Sequence, residues 1–155
     1  MKKIDLIPNK SFIFASLLIV ANRMETLLSR DLKEFGVTTR QWFLSATINS
    51  LFESPPTIKA VAKEMGSCHQ NIKQVALKLQ DKGLLKLEKD KKDARVTRLR
   101  MTEESYIFWK ETEPKGEVFI ENIFKDIEEQ DLITARAVLK KMLSNLTEMD
   151  NVVID

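Results

Sequence analysis

A single cysteine, Cys68, stands among 155 residues, so the chain cannot close an intramolecular disulfide. That usage suits a reducing compartment, and a cytoplasmic location is expected. There is also only one histidine, His69. Zinc needs three or four ligands in tetrahedral reach, and neighbouring residues on a helix diverge by about 100°, so no metal site is expected. With four glycines the chain has no P-loop and no G-x-G-x-x-G turn to cradle phosphates. No nucleophile is paired with a base, and the acids fall on helical surfaces. The chain is therefore read as no enzyme and as carrying no cofactor. Four prolines and long apolar periodicities point to a mostly helical protein. At 31% charged and 43% hydrophobic, its length suits one domain with a real core.

Charge is distributed unevenly. The whole chain is +2, yet residues 57–102 hold twelve Lys and Arg against five acids, or +7. The remainder holds 13 against 18, or −5. A basic module on an acidic body suggests a polyanionic partner, because Lys and Arg supply the electrostatic part of DNA binding.

That module reads as helix, turn, helix and two short strands. Thr57 caps a helix over Ile58–Met65, which Gly66 ends. Ser67, with Gln70 three residues on, forms a capping box that opens a second helix. Ile72, Val75, Ala76 and Leu79 make its buried stripe, while Gln70, Lys73, Gln74 and Leu77 face away and His69 lies near the edge of that face. Gly83 stops it in a left-handed conformation. Leu84–Glu88 and Val96–Met101 are the strands, joined by a charged tip over Lys89–Arg95.

In these residues the chain resembles the MarR-type transcriptional regulators. The resemblance runs over the second helix, Lys82-Gly83-Leu84, the wing Asp93-Ala94-Arg95 and the closing Met101-Thr102. Two positions depart from the family's common pattern: Ser105 stands where Gly is frequent, and Ala94 where Arg is usual. The resemblance implies an all-α fold with a small β-wing hairpin, a winged helix-turn-helix with long N- and C-terminal dimerisation helices. The implied domain is 1–155, with 1–36 and 118–155 as dimerisation helices and 57–102 as the DNA-binding module. Its implied partners are a second copy of the chain, a pseudo-palindromic double-stranded DNA operator and a small aromatic effector. The implied function is a sequence-specific regulator, and a repressor.

Outside the module, Lys2-Lys3 followed by Phe12–Ala21 has the charge and apolarity of a signal peptide. Asp5, Asn9 and Lys10 interrupt the approach, and the periodicity continues through Met24, Leu28, Leu32 and Phe35. The segment is therefore read as a helix over Ser11–Phe35, ended by Gly36. No stretch is judged to approach the roughly 20 apolar residues of a membrane span, so no membrane partner is expected. The wide apolar face of this helix (Phe14, Leu17, Leu18, Ala21, Met24 and Leu28) calls for a second partner. Thr38 and Gln41 form a capping box for a helix to Phe52, and Pro55-Pro56 punctuate. Thr102-Glu103-Glu104 opens another helix, which Pro114 and Gly116 should kink or break near Thr112–Glu117. Val118–Ile127 resumes it. A last helix over Leu132–Leu146 carries Leu132, Ala135, Leu139, Met142, Leu143 and Leu146 on one face.

The expected DNA-binding residues follow from the helix in the major groove. Gln70 and Asn71 carry amides that can pair with adenine, and Lys73 reaches guanine or a phosphate. Ser67, His69, Gln74 and Lys78 hold the backbone. By resemblance Arg95 contacts the minor groove or a phosphate and Asp93 steadies the wing, while Lys89, Lys91 and Lys92 attract phosphates. The plain alternative for this face is a solvated polar surface, and for Asp93–Arg95 a surface ion pair. Cys68 at a helix start is a redox candidate, with a small side chain near DNA as the blander account. Trp42, Phe43, Tyr106 and Trp109, with Phe108 nearby, are candidates for an effector pocket, against plain core packing. The competing function is a winged-helix module that binds a protein and not DNA.

Overall fold

The computed structural model describes residues 6–152. Lys2, Lys3 and Asp5, weighed above as part of a leader, lie outside them, as do the last three residues of the 118–155 segment. Helix α1 spans Asn9–Asp31 and runs into a 3-10 turn, Leu32–Phe35. Helices α2 (Thr39–Leu51), α3 (Ile58–Glu64) and α4 (His69–Asp81) follow. Strands β1 (Leu85–Lys89) and β2 (Thr97–Met101) form an antiparallel hairpin, and α5 (Glu103–Ile123) and α6 (Glu129–Val152) complete the order. This is an all-α protein with a two-stranded wing, a winged helix-turn-helix. Contacts divide the chain into two compact units, Met1–Glu117 and Val118–Asp155.

The core of the first unit lies where α2, α3, α4 and the wing meet. Leu44, Val61, Ala76, Leu79 and Leu99 are fully enclosed, and Ile58, Ile72 and Leu85 nearly so. On α4 the buried residues are Ile72, Ala76 and Leu79, with Val75 half-buried, so one stripe of the helix faces the core. Each Leu, Ile or Val side chain fully removed from water contributes roughly 1.5–3 kcal/mol.

Local chemistry fixes the helix ends. Thr38 accepts from the Gln41 amide at 3.3 Å while Gln41 Oε1 accepts from the Thr38 amide at 3.1 Å, a reciprocal capping box. Thr57 accepts from the Ala60 amide, and Thr102 from the Ser105 amide. At the end of α3 the Gly66 amide donates to the Lys63 carbonyl and the Ser67 amide to Ala62. At the end of α4 the Gly83 amide donates to Gln80 and the Leu84 amide to Leu79. Both are Schellman closures, with Gly66 and Gly83 left-handed at φ 58° and 71°.

These closures correct two expected boundaries. Ser67 is committed to the end of α3, so the N-cap of α4 falls one residue later, on Cys68, and no side chain caps it. The expected Ser67–Gln70 capping box is not formed. Leu84 is likewise committed to the end of α4 and buried, at 6% exposure, and β1 begins at Leu85. The second strand begins at Thr97, one residue later than expected.

The hairpin pairs Leu85 with Met101, Leu87 with Leu99 and Lys89 with Thr97. It does not stand alone. The Leu99 amide donates to the Pro56 carbonyl at 2.8 Å, and Thr57 bridges to Arg98, so the α2–α3 loop serves as a partial third strand. Thr102 Oγ1 donates to the Gly83 carbonyl, and the Leu87 amide donates to Gln80 Oε1, which tie the hairpin to the end of α4.

Three further expectations change. Pro114 does not break α5, which runs unbroken from Glu103 to Ile123. Proline removes one ladder bond, a cost of about 3 kcal/mol or more, and the remaining bonds carry the helix through. The last helix is longer than Leu132–Leu146, reaching from Glu129 to Val152. The segment Asn9–Phe35 is also long and apolar enough, by length and composition, to cross a membrane. Counting unbroken apolar runs misses this because Ser11, Ser16 and Asn22 interrupt the run without adding charge.

The C-terminal end of that segment is fastened within the first unit. Leu28 and Leu32 are buried, Thr39 Oγ1 donates to the Glu25 carbonyl, and Arg40 pairs with Glu25 at 2.6 Å. Its earlier turns expose Phe12, Ile13, Phe14, Leu18, Ile19 and Val20.

Gly83→Ala should lower stability by about 1–2 kcal/mol, the cost of a left-handed non-glycine residue, since an added Cβ would meet no atom within 4 Å. Urea denaturation checks this: the midpoint should fall while the slope stays constant.

Candidate nucleic-acid interface

Helix α4 carries its polar residues at its start because its apolar stripe turns inward. His69, Gln70, Asn71, Lys73, Gln74 and Lys78 are all exposed, Ser67 is half-buried, and Leu77 is half-buried too. Cys68 is an exposed free thiol at the N-cap. The helix start, the beginning of α3 and the wing enclose a concavity of about 470 Å³. It is lined by Lys59, His69, Lys73, Lys89 and Arg95, together with Thr57 and Val96. Two of these, Lys73 and Arg95, lie far apart in sequence yet face one hollow.

The concavity takes in Lys59, which is not among the expected binding residues, and Lys89, expected only to attract phosphates. Lys59 lies on the first turn of α3, and Lys89 closes β1. Lys89 reads in sequence only as general phosphate attraction, and Lys59 only as one more charge of the basic module. Neither has a local motif; their placement depends on how the wing returns beside α3. Lys91 and Lys92 are exposed on the wing tip and do not line this hollow.

The tip is organised by two aspartates. Asp93 Oδ1 accepts from the Arg95 amide at 3.0 Å and from Arg95 Nε at 3.1 Å, while Oδ2 accepts from Nη2 at 3.3 Å. Asp93 thus orients Arg95, whose side chain remains 91% exposed. The Arg95 side chain and then its amide hold the Asp93 carboxyl below its ordinary pKa.

Asp90, unremarked in the sequence, organises more of the loop. Its Oδ1 accepts from the amides of Lys92 at 2.8 Å and Asp93 at 3.0 Å, and its Oδ2 pairs with Arg98 Nε. The Asp90 amide donates to Val96 and the Val96 amide to Asp93, closing the loop. Side chains of this kind that hold amides two and three residues on are the usual sequence cue for a turn.

The four aromatics considered for an effector pocket differ in exposure. Phe43 and Tyr106 are exposed, and Trp42 and Trp109 are half-buried. A second concavity of about 250 Å³ lies between the end of α2, the α2–α3 loop, β2 and the start of α5. Tyr106 lines it with Phe52, Leu99, Met101 and Arg100; Trp42, Phe43 and Trp109 do not. Phe108, itself half-buried, meets Phe35 and Trp109 edge-on, with ring centroids 6.3 Å and 4.9 Å apart. Among the described residues no cluster of three metal-ligating side chains occurs.

No family model and no curated protein sequence matches the chain. Solved structures do match in fold. A MarR protein from Peptoclostridium difficile is similar over 88% of each chain at 16% identity, with a TM-score of 0.79. AbsC, a MarR-family transcriptional regulator from Streptomyces coelicolor, is similar over 92% of this chain and 97% of its own at 16% identity and TM-score 0.78. MepR from S. aureus, solved as a complex with DNA, is similar over 90% of this chain and 99% of its own at 17% identity and TM-score 0.76. The chain therefore has the fold of the MarR-family regulators along most of its length.

Hydrogen bonding by the Arg98 side chain, then by the Lys92 and Asp93 amides, lowers the Asp90 pKa from 3.8 to about 2. A lowered carboxylate stabilises the folded loop fully above its ordinary value and loses that contribution as pH falls through the folded value. The tip should stay closed at pH 3.8 and open as pH nears 2. Carboxyl-carbon NMR titration of Asp90 measures this directly; a midpoint at the ordinary carboxylate value would mean the three donors do not hold it.

Proposed function

We propose that the chain is a MarR-type, sequence-specific DNA-binding transcriptional regulator, acting in the cytoplasm as a homodimer and not as an enzyme. The observation that carries this is the basic concavity between α4 and the wing, beside an exposed polar helix start. A phosphate backbone is the partner such a surface fits, because clustered Lys and Arg gain by releasing its counterions. The fold shared with MepR, which was solved bound to DNA, supports the same reading.

In this reading Gln70 and Asn71 meet base edges in the major groove. Lys73 reaches a guanine or a phosphate, and Ser67, His69, Gln74 and Lys78 hold the backbone. Arg95 enters the minor groove or grips a phosphate, with Lys59, Lys89, Lys91 and Lys92 adding charge. The exposed apolar faces of α1 and α6, including Phe14, Leu18, Leu139 and Leu143, supply the dimer contacts. Two copies then address half-sites about one helical turn apart on a pseudo-palindrome. The regulator represses by occluding polymerase and is relieved when a small aromatic effector shifts the dimer to a spacing that no longer fits.

Fluorescence anisotropy with the chain's own upstream DNA and a scrambled duplex, across a salt series, tests the reading. Tighter binding to the native duplex, falling steeply with salt, is expected. Arg95→Ala or Lys73→Ala should each weaken binding by about tenfold, and any lost phosphate contact should reduce the salt slope by about one. Absence of binding to either duplex at low salt would transfer the function to a protein partner. An effector screen follows on the formed complex.

Sedimentation without detergent tests the apolar faces. A homodimer should run at twice 17.9 kDa, about 36 kDa. A chain that stays dispersed only in detergent would instead assign the face of α1 to lipid.

A further inference from the structure

We infer that Arg98 and Asp90 form a latch that positions the wing, so that Arg95 meets its target in a fixed direction; this rests on the DNA-binding reading above. Arg98 reaches two ways at once. Its Nε pairs with Asp90 Oδ2 on the wing tip, and its Nη1 donates to the Pro55 carbonyl in the α2–α3 loop at 2.9 Å. A planar guanidinium can serve two acceptors in a set geometry, which a single point charge does less well. The Asp90 side chain is only 13% exposed, and the Arg98 side chain 41%.

The pairing is selective. Glu88 lies directly across the ladder from Arg98, but its carboxylate goes to Arg100 at 2.8 Å. Asp90 is left to Arg98, and its other oxygen already holds the amides of Lys92 and Asp93. Asp93 in turn holds Arg95. A continuous set of hydrogen bonds therefore runs from the backbone of the α2–α3 loop, through Arg98, Asp90 and Asp93, to the exposed guanidinium of Arg95. Arg98 acts through other residues and is a positioning residue, not a DNA contact.

Simple electrostatics and the latch make opposite predictions for Asp90→Asn. Removing one negative charge beside a polyanion should tighten binding on charge alone. Loss of the latch should weaken it, by about tenfold if Arg95 is fully misdirected. The pair D90N/R98Q removes one charge of each sign and leaves the net charge unchanged. It should also weaken binding about tenfold and, combined with Arg95→Ala, be no worse than Arg95→Ala alone, because coupled residues are not additive. Tighter binding by D90N, or an additive loss of about a hundredfold in the combined variant, would overturn the latch.

Wild-type failure to bind either duplex would overturn the DNA reading itself. The latch remains testable then by amide hydrogen exchange at Lys92 and Asp93. Protection in the wild type that is lost in D90N/R98Q supports it, and equal exchange in both overturns it. Circular dichroism of each variant confirms that the helical body is retained.

Discussion

Leu99 is the point where the wing and the helices become one body. A two-stranded hairpin has marginal stability by itself in water. Here Leu99 is fully enclosed in the core, and its amide donates to the Pro56 carbonyl. Leu85, two pairs along the ladder, is buried beside the end of α4. One strand of five residues thus satisfies its backbone on both edges and anchors its side chain beneath. Without that anchorage Arg95 and Lys89 would have no fixed relation to Lys73, and the basic hollow would not exist.

The elements written in local chemistry are legible in the sequence. Thr38 with Gln41, Thr57 and Thr102 each announce a helix start within four residues, and each makes the hydrogen bond expected of it. Gly66 and Gly83 announce the two stops. Ser67 shows the limit of such reading: it satisfies the pattern of a helix cap, but the preceding closure claims its amide first. Two motifs overlap in sequence there, and only the three-dimensional turn decides between them. Pro114 shows another limit, since the surrounding ladder outweighs the single bond it removes.

The candidate site divides in the same way. Gln70 and Lys73 are placed on the outward face by helical periodicity, while Asp93 and Arg95 are singled out by the family resemblance. Lys59 could not be found so, because it joins the hollow through the return of a strand some forty residues later. Asp90 and Arg98 are eight residues apart across a loop, and only the folded tip brings them together. Charge counting detects that such a basic module exists; it does not say which cations share a concavity.

The unequal ends of α4 carry one more consequence. Its last turn is closed by two backbone bonds and followed by the buried Leu84, whereas its first turn has no side-chain cap. The helix is therefore held by more contacts where it is rooted than where Gln70 and Asn71 project. Local opening begins where few bonds hold the backbone. If the contour such a surface meets is uneven, the leading turn is where the fewest bonds resist adjustment, and the root is where the most do.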